Sequence, residues 1–298
     1  MTSDAGSAAA MASQSGRIAV LQFTPHHGNS ALSRQKAEAL CAKLEPGTID
    51  LLVAPEMCLS GYIFQKPEEV RALAESSQAA GNDDGAGAVT IAMAQSLSKR
   101  LGCYTLAGFP EIEPQGEDPS EEATYNSLQI FDARPSDSQP HIPQNITGEP
   151  RMYNSAVLTS PSGSIVRIFR KHFLFDADEL WAHDGSGFQY VDLPRLGRLG
   201  VGICMDLNPW RFKVPFDRYE LASYCVDKGI DILAVPMAWL RGADGDNEEP
   251  APPMSDPQIH VINYWATRCA PLWRQRPDGS SKRTLFITAN RTGTEAGR

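Results

Sequence analysis

Hydrophobic and polar positions along the chain follow two periods. Short apolar runs rich in β-branched and aromatic residues recur as "RIAVLQF" (17–23), "IDLLVAPE" (49–56), "CYTLAGFP" (103–110), "SIVRIFRKHF" (164–173), "LGVGIC" (199–204), "DILAVP" (231–236) and "TLFITANR" (284–291). Most run into Pro, Gly or Asn, as strands do. Between them, Ala37, Leu40, Cys41 and Leu44 repeat at i, i+3, i+4, i+7, and Val89, Ala92, Met93 and Leu97 share one face within 87–101, which predicts two helices. Further helices are predicted over 216–228 and 257–269. Two more β-like runs start with the same tripeptide, at Tyr125-Asn126-Ser127 and Tyr153-Asn154-Ser155, a match too short to be a repeat. The stretch 133–151 between them, rich in Pro, Ser and polar residues, reads as a surface loop. Near-continuous apolar strands alternating with helices predict an α/β fold whose sheet is covered on both faces.

Length and composition narrow this picture. A chain of 298 residues with 42% hydrophobic and 21% charged residues suits one globular domain over 17–298, behind a disordered lead at 1–16. Insertions are expected near 111–122, 132–150 and 241–256. The chain stops at "NRTGTEAGR", directly after a strand and a Gly-rich turn, so an edge of the domain is expected to be missing. A net charge of −9 argues against a nucleic-acid surface, which needs clustered Lys and Arg. Much of the acidity sits in "EIEPQGEDPSEE" and "ADGDNEEP", where it decorates loops. No G-x-G-x-x-G or P-loop motif follows a strand, so nucleotide binding has no support. The six cysteines contain no C-x-x-C pair and no zinc-like spacing, and reduced thiols are expected. The lead lacks the basic region and apolar run of a signal peptide, and no run reaches the ~20 apolar residues that span a bilayer. These features predict a cytoplasmic protein with no metal, cofactor, membrane or nucleic-acid partner; monomer and homodimer both stay open.

In α/β sheets, ligands gather beyond the carboxyl ends of strands. Three reactive side chains are predicted there: Glu56 after "DLLVAP", Lys171 after "IVRIFR" and Cys204 after "LGVGI". Each alone has a plainer reading, as a solvated carboxylate, part of a basic patch and a small buried hydrophobe. Together they complement one another. A thiol is mostly protonated at neutral pH and needs a base or cation to become a nucleophile. Glu56 suits the base, and Lys171 suits stabilisation of the oxyanion formed when the thiolate attacks a carbonyl. The set fits acyl transfer from a carbon–nitrogen bond.

"APEMCLSGY", "RKHFLFDADE" and "GICMDLNPW", around these residues, resemble the three signature segments of the nitrilase, or carbon–nitrogen hydrolase, superfamily. The intervals, 115 residues and then 33, are similar too. The resemblance implies a four-layer α-β-β-α sandwich and needs no cofactor. "CMDLNPW", "WAHDGSGF" and "YWATRCAPL" are most similar to the fungal N-terminal amidases of that superfamily, which deamidate N-terminal Asn and Gln of proteins for the N-degron pathway. It further implies Glu56 as general base, Lys171 as oxyanion-side cation, Cys204 as nucleophile and the Met205 N–H as an oxyanion donor. Superfamily members carry a second glutamate between lysine and cysteine; Asp184 in "AHDGSGF" is the matching residue here, with Glu179 as the other candidate.

Recognition of a chain terminus demands a carboxylate for the substrate's α-ammonium group. Asp206, two residues past Cys204, is the expected anchor, with Tyr62, Asn208, Trp210 and Trp239 shaping the pocket. A helix-capping Asp206 and a core Trp210 are the plainer alternatives. Two other functions stay open: hydrolysis of small ω-amides or carbamoyl compounds, with Arg211 or Arg241 holding a free carboxylate, and a catalytically silent binding protein.

Overall fold

Alternation along the strands decides the layers. A computed structural model describes residues 16–79, 87–113, 130–143, 149–240, 258–274, 279 and 282–295. In β2 (Leu51–Val53) and the residue after it, Leu51 and Val53 join one buried cluster while Leu52 and Ala54 join another. The second cluster holds Ala37 and Cys41 of α1 (Ser30–Cys41) and Ile91, Ala94, Leu97 and Leu101 of α3 (Val89–Leu101), so these helices cover the outer face. The first cluster meets residues of the other sheet, among them Leu199, Val201, Val235 and Ile287. A two-residue period thus places every second side chain between the sheets.

The first sheet has the order β1 (Ile18–Val20), β2, β3 (Tyr104–Ile112), β4 (Met152–Thr159), β5 (Ile165–Arg170). Its first three strands are parallel and its last two antiparallel. The second has the order β6 (Gln189–Leu193), β7 (Gly197–Val201), β8 (Ile232–Met237), β9 (Leu285–Asn290), parallel except for the β6–β7 pair. Leu221, Ala222 and Cys225 of α5 (Glu220–Asp227) complete the cluster on this side. The result is the expected α-β-β-α sandwich. Two short helices, α2 (Pro67–Arg71) and α4 (Asp176–Glu179), and α6 (Ile259–Arg268) finish the described helices.

Several expectations shift in detail. The helix expected over 216–228 is broken at Tyr219, whose φ of 48° leaves a 3-10 turn before α5. β6 is an extra strand, paired antiparallel to β7. The Tyr125 run, nearly all of the lead, the 241–256 insertion and most of 111–122 lie outside the described residues. Of 132–150, the described part is irregular, with Phe131 bridged to Phe188 beside it.

Candidate active site

Glu56, Lys171 and Cys204 each follow a strand, and the fold brings the three together. Glu56 stands three residues past β2, fully buried. The loop carrying it lies flat on β3, where a Cβ on Gly108 would stand 2.6 Å from the Glu56 Cα; only glycine permits that approach. Lys171 follows β5 directly, and its N–H donates to Asn154 O on β4 (2.8 Å). Cys204 opens a 3-10 turn (Cys204–Leu207) three residues past β7, with φ of 45°. A left-handed cysteine is strained, and this one is held buried at the strand end.

The polar centre is dense. Lys171 Nζ donates to Glu56 Oε1 and to Asp178 Oδ2, both at 2.6 Å, with all three side chains fully buried. Asn154 Nδ2 donates to Glu56 Oε1 (2.7 Å) and Asp178 Oδ1 (2.9 Å). The Ala238 N–H, just past β8, donates to Glu56 Oε2 (2.7 Å). Tyr62 OH and the Phe175 N–H donate to Asp178 Oδ2 at 3.1 and 3.0 Å. Burial opposes the charge on Lys171, but Asp178 and Glu56 outweigh it and hold its pKa well above the usual lysine value. Burial and the neighbouring Glu56 push the Cys204 thiol up, against the pull of Lys171. The resting thiol therefore keeps its proton, with Glu56 and Lys171 the charged groups that act on it most strongly.

A cavity of about 380 Å³ abuts this centre at Tyr62 and Ala238; Glu56, Lys171 and Cys204 themselves are not part of its lining. Its other walls are Ile63, Trp239, Leu240 and the segment Arg291–Glu295. Glu295 Oε2 accepts the Tyr62 and Ile63 N–H groups at 2.9 and 3.2 Å and pairs with Arg291, which ties this wall to the loop after Glu56.

The carbon–nitrogen hydrolase family model matches residues 17–214. The chain belongs to the carbon–nitrogen hydrolase family. It is 32% identical to a protein N-terminal amidase of Schizosaccharomyces pombe over 83% of this chain and 74% of that protein. Its fold is similar to a solved N-terminal amidase with an Asn-Glu-Ala peptide (TM-score 0.64, 19% identity, 94% of this chain and 86% of the other). It is also similar to one with a Gln-Gly peptide (TM-score 0.57, 21% identity, 86% of this chain), of whose length it spans about half, 53%.

In this carbon–nitrogen hydrolase the second carboxylate beside the lysine is Asp178, and neither Asp184 nor Glu179 stands there. Asp184 pairs with Arg134 (2.8 Å) and accepts the His141 N–H (2.9 Å), and Glu179 pairs with Arg211 (2.8 Å). The chain near Asp184 meets Lys171 through backbone, Gly185 N–H to Lys171 O at 2.7 Å, so its side chain faces elsewhere. Asp178 lies inside the "RKHFLFDADE" segment; only the turn of α4, which folds it back onto Lys171, distinguishes it from its acidic neighbours.

Asp206 is also relocated. Its Oδ1 accepts the His172 and Phe173 N–H groups (3.0 and 2.7 Å), and its Oδ2 accepts the Ile203 N–H (2.8 Å). Fully buried, with its pKa pushed up to about 6 by burial, it stitches the chain before Cys204 to the chain after Lys171 and leaves no face for a substrate ammonium. Asn208 is spent on packing: its Oδ1 accepts Tyr264 OH (2.6 Å) and its Nδ2 donates to Met205 Sδ (3.2 Å). Trp210 packs on the main core under the Arg211 guanidinium. Tyr62 and Trp239 do line the cavity, and Trp239 leans on Tyr264 and Trp265. The Met205 N–H, in the first turn after Cys204, has no partner among the described residues. Arg241 lies outside the described residues. Among those residues, no cluster of His, Cys, Asp or Glu has the make-up of a metal site.

Proposed function

We propose that the chain is a cysteine-dependent amidohydrolase that converts N-terminal Asn and Gln of proteins or peptides to Asp and Glu with release of ammonia. The observation that carries this is the convergence of a buried Glu56–Lys171 pair on a left-handed Cys204, with Tyr62 and Ala238 leading from this centre to a cavity. The S. pombe relative is named for N-terminal amide hydrolysis, and solved neighbours hold peptides that begin with Asn and Gln.

Glu56 takes the Cys204 proton as the sulfur attacks the side-chain carboxamide. The Met205 N–H and the third N–H of Lys171, two of whose donors are held by carboxylates, meet the developing oxyanion. Glu56 returns its proton to the departing ammonia, leaving a thioester, and then activates the water that hydrolyses it. Burial of the whole centre keeps bulk water from competing. The enzyme acts in the cytoplasm, where the reduced state of its six cysteines, none of them in a disulfide, is maintained.

The test pairs Asn- and Gln-initiated peptides with their Nα-acetylated forms, free asparagine and a small ω-amide, reading ammonia release and the amide-to-acid mass change. Turnover of the free-amine peptides alone is expected, with no turnover in Cys204→Ala. Turnover confined to the small amides would sink this reading.

A further inference from the structure

One polar atom at the middle of the site is left over. Asn154 Oδ1 is buried and has no hydrogen-bond partner among the described residues, although a buried unpaired carbonyl is destabilising. An amide usually escapes by rotating half a turn. Here rotation would aim Oδ1 at Glu56 Oε1 and Asp178 Oδ1, two carboxylate oxygens that now accept from Nδ2. The orphaned carbonyl is the consequence of placing one NH2 group between two anions.

We infer that Asn154 is a positioning residue that, by donating to both carboxylates, confines the working proton to Glu56 Oε2, the oxygen that Lys171 and Asn154 leave open. The inference rests on the proposed roles of Glu56 and Cys204. Each carboxylate oxygen offers two in-plane lone pairs. On Oε1, Lys171 Nζ and Asn154 Nδ2 fill both, at 2.6 and 2.7 Å. On Oε2, the Ala238 N–H fills one, and the other stays open. A proton leaving the Cys204 sulfur therefore settles on Oε2, and from that oxygen it passes to the nitrogen as the carbon–nitrogen bond breaks. Remove the Asn154 donor and Oε1 gains an open lone pair on the Lys171 side, where a proton serves neither step.

The charged and titratable groups facing Glu56 are Lys171 after β5, Asp178 on α4, Tyr62 in the loop after β2, Cys204 after β7 and Arg291 after β9. Asn154, on β4, is the uncharged side-chain donor to Glu56, and the Ala238 N–H is the backbone one. Loss of a donor to a carboxylate favours its protonated form.

The experiment compares wild type with Asn154→Leu and Asn154→Ser. It reads the pH dependence of kcat/KM on an Asn-initiated peptide and of Cys204 alkylation by iodoacetamide, located by mass spectrometry. In Asn154→Leu the acid limb of both profiles is expected to move up by about one pH unit, roughly a tenfold loss on the acid side, with KM little changed. Asn154→Ser, which keeps one donor, is expected to move less. A merely structural role would lower the amplitude and leave the limb in place, and that result in a folded variant overturns the inference. Failure of both variants to fold overturns it too, because Asn154 would then serve folding. The alkylation profile needs no substrate, so it decides on Asn154 even if the wild-type protein deamidates no peptide.

Discussion

At Cys204 the backbone enters a region that costs a residue with a Cβ about 1 kcal/mol and glycine nothing, with φ of 45°. Glycine usually weakens a fold relative to alanine; at this position the order reverses. Cys204→Gly is expected to unfold about 1 kcal/mol later than Cys204→Ala, both inactive, as read by urea denaturation. Equal stabilities would show that the strain is absent in solution. Glu56, Lys171 and Cys204 were legible in the sequence because strand ends are marked by pattern and their chemistry is complementary. Asp178 and Asn154 were not, because nothing local separates a carboxylate or amide turned inward from one turned to water. Asp206 shows the converse: two residues from Cys204 in sequence, its carboxylate points at backbone amides.

Among the elements, the capping of α3 carries a consequence for pH. No side chain of the preceding residue caps this helix; instead the distant Glu75 carboxylate accepts the Thr90 and Ile91 N–H groups at 2.8 to 3.1 Å. Burial raises the Glu75 pKa from 4.5 to about 7. The folded chain thus binds this proton more tightly than the unfolded one, and stability falls as pH rises through that window. The pKa difference bounds the fall at about 3 kcal/mol. Glu75→Gln is expected to flatten the slope of the melting temperature between pH 4.5 and 7, measured by circular dichroism; an unchanged slope refutes the assignment. Such a cap is invisible to a local search, since Glu75 and Thr90 lie 15 residues apart. The α1 and α3 stripes were legible because their apolar spacing is regular. β6 was not, because "QYVDL" lies half exposed beside β7 and has no continuous apolar run.

At the scale of the molecule, alternating apolar strands announced a sheet covered on both faces, while the doubling into two sheets came from the family resemblance. Pairing order depends on contacts far apart in sequence, which no short window records. The site draws on both halves. Glu56, Asn154 and Lys171 belong to the first sheet and its edges, whereas Cys204 and the Ala238 N–H belong to the second. Glu56 and Cys204 thus meet across the apolar seam between Leu51, Val53, Ala156 and Leu158 on one side and Leu199, Val201, Val235 and Ile287 on the other, which the Ala238 N–H and Asp206 also bridge. The thiol and its carboxylate therefore act as a gauge of how tightly that seam is shut. In a urea titration, amide hydrolysis is expected to vanish while far-ultraviolet circular dichroism still reports both sheets intact. Coincident loss would mean that the halves part and melt in a single step. On the expected result, a slackening too small to expose the core silences hydrolysis, and the working range of the site is set by the docking of two sheets, well inside the limits of their survival.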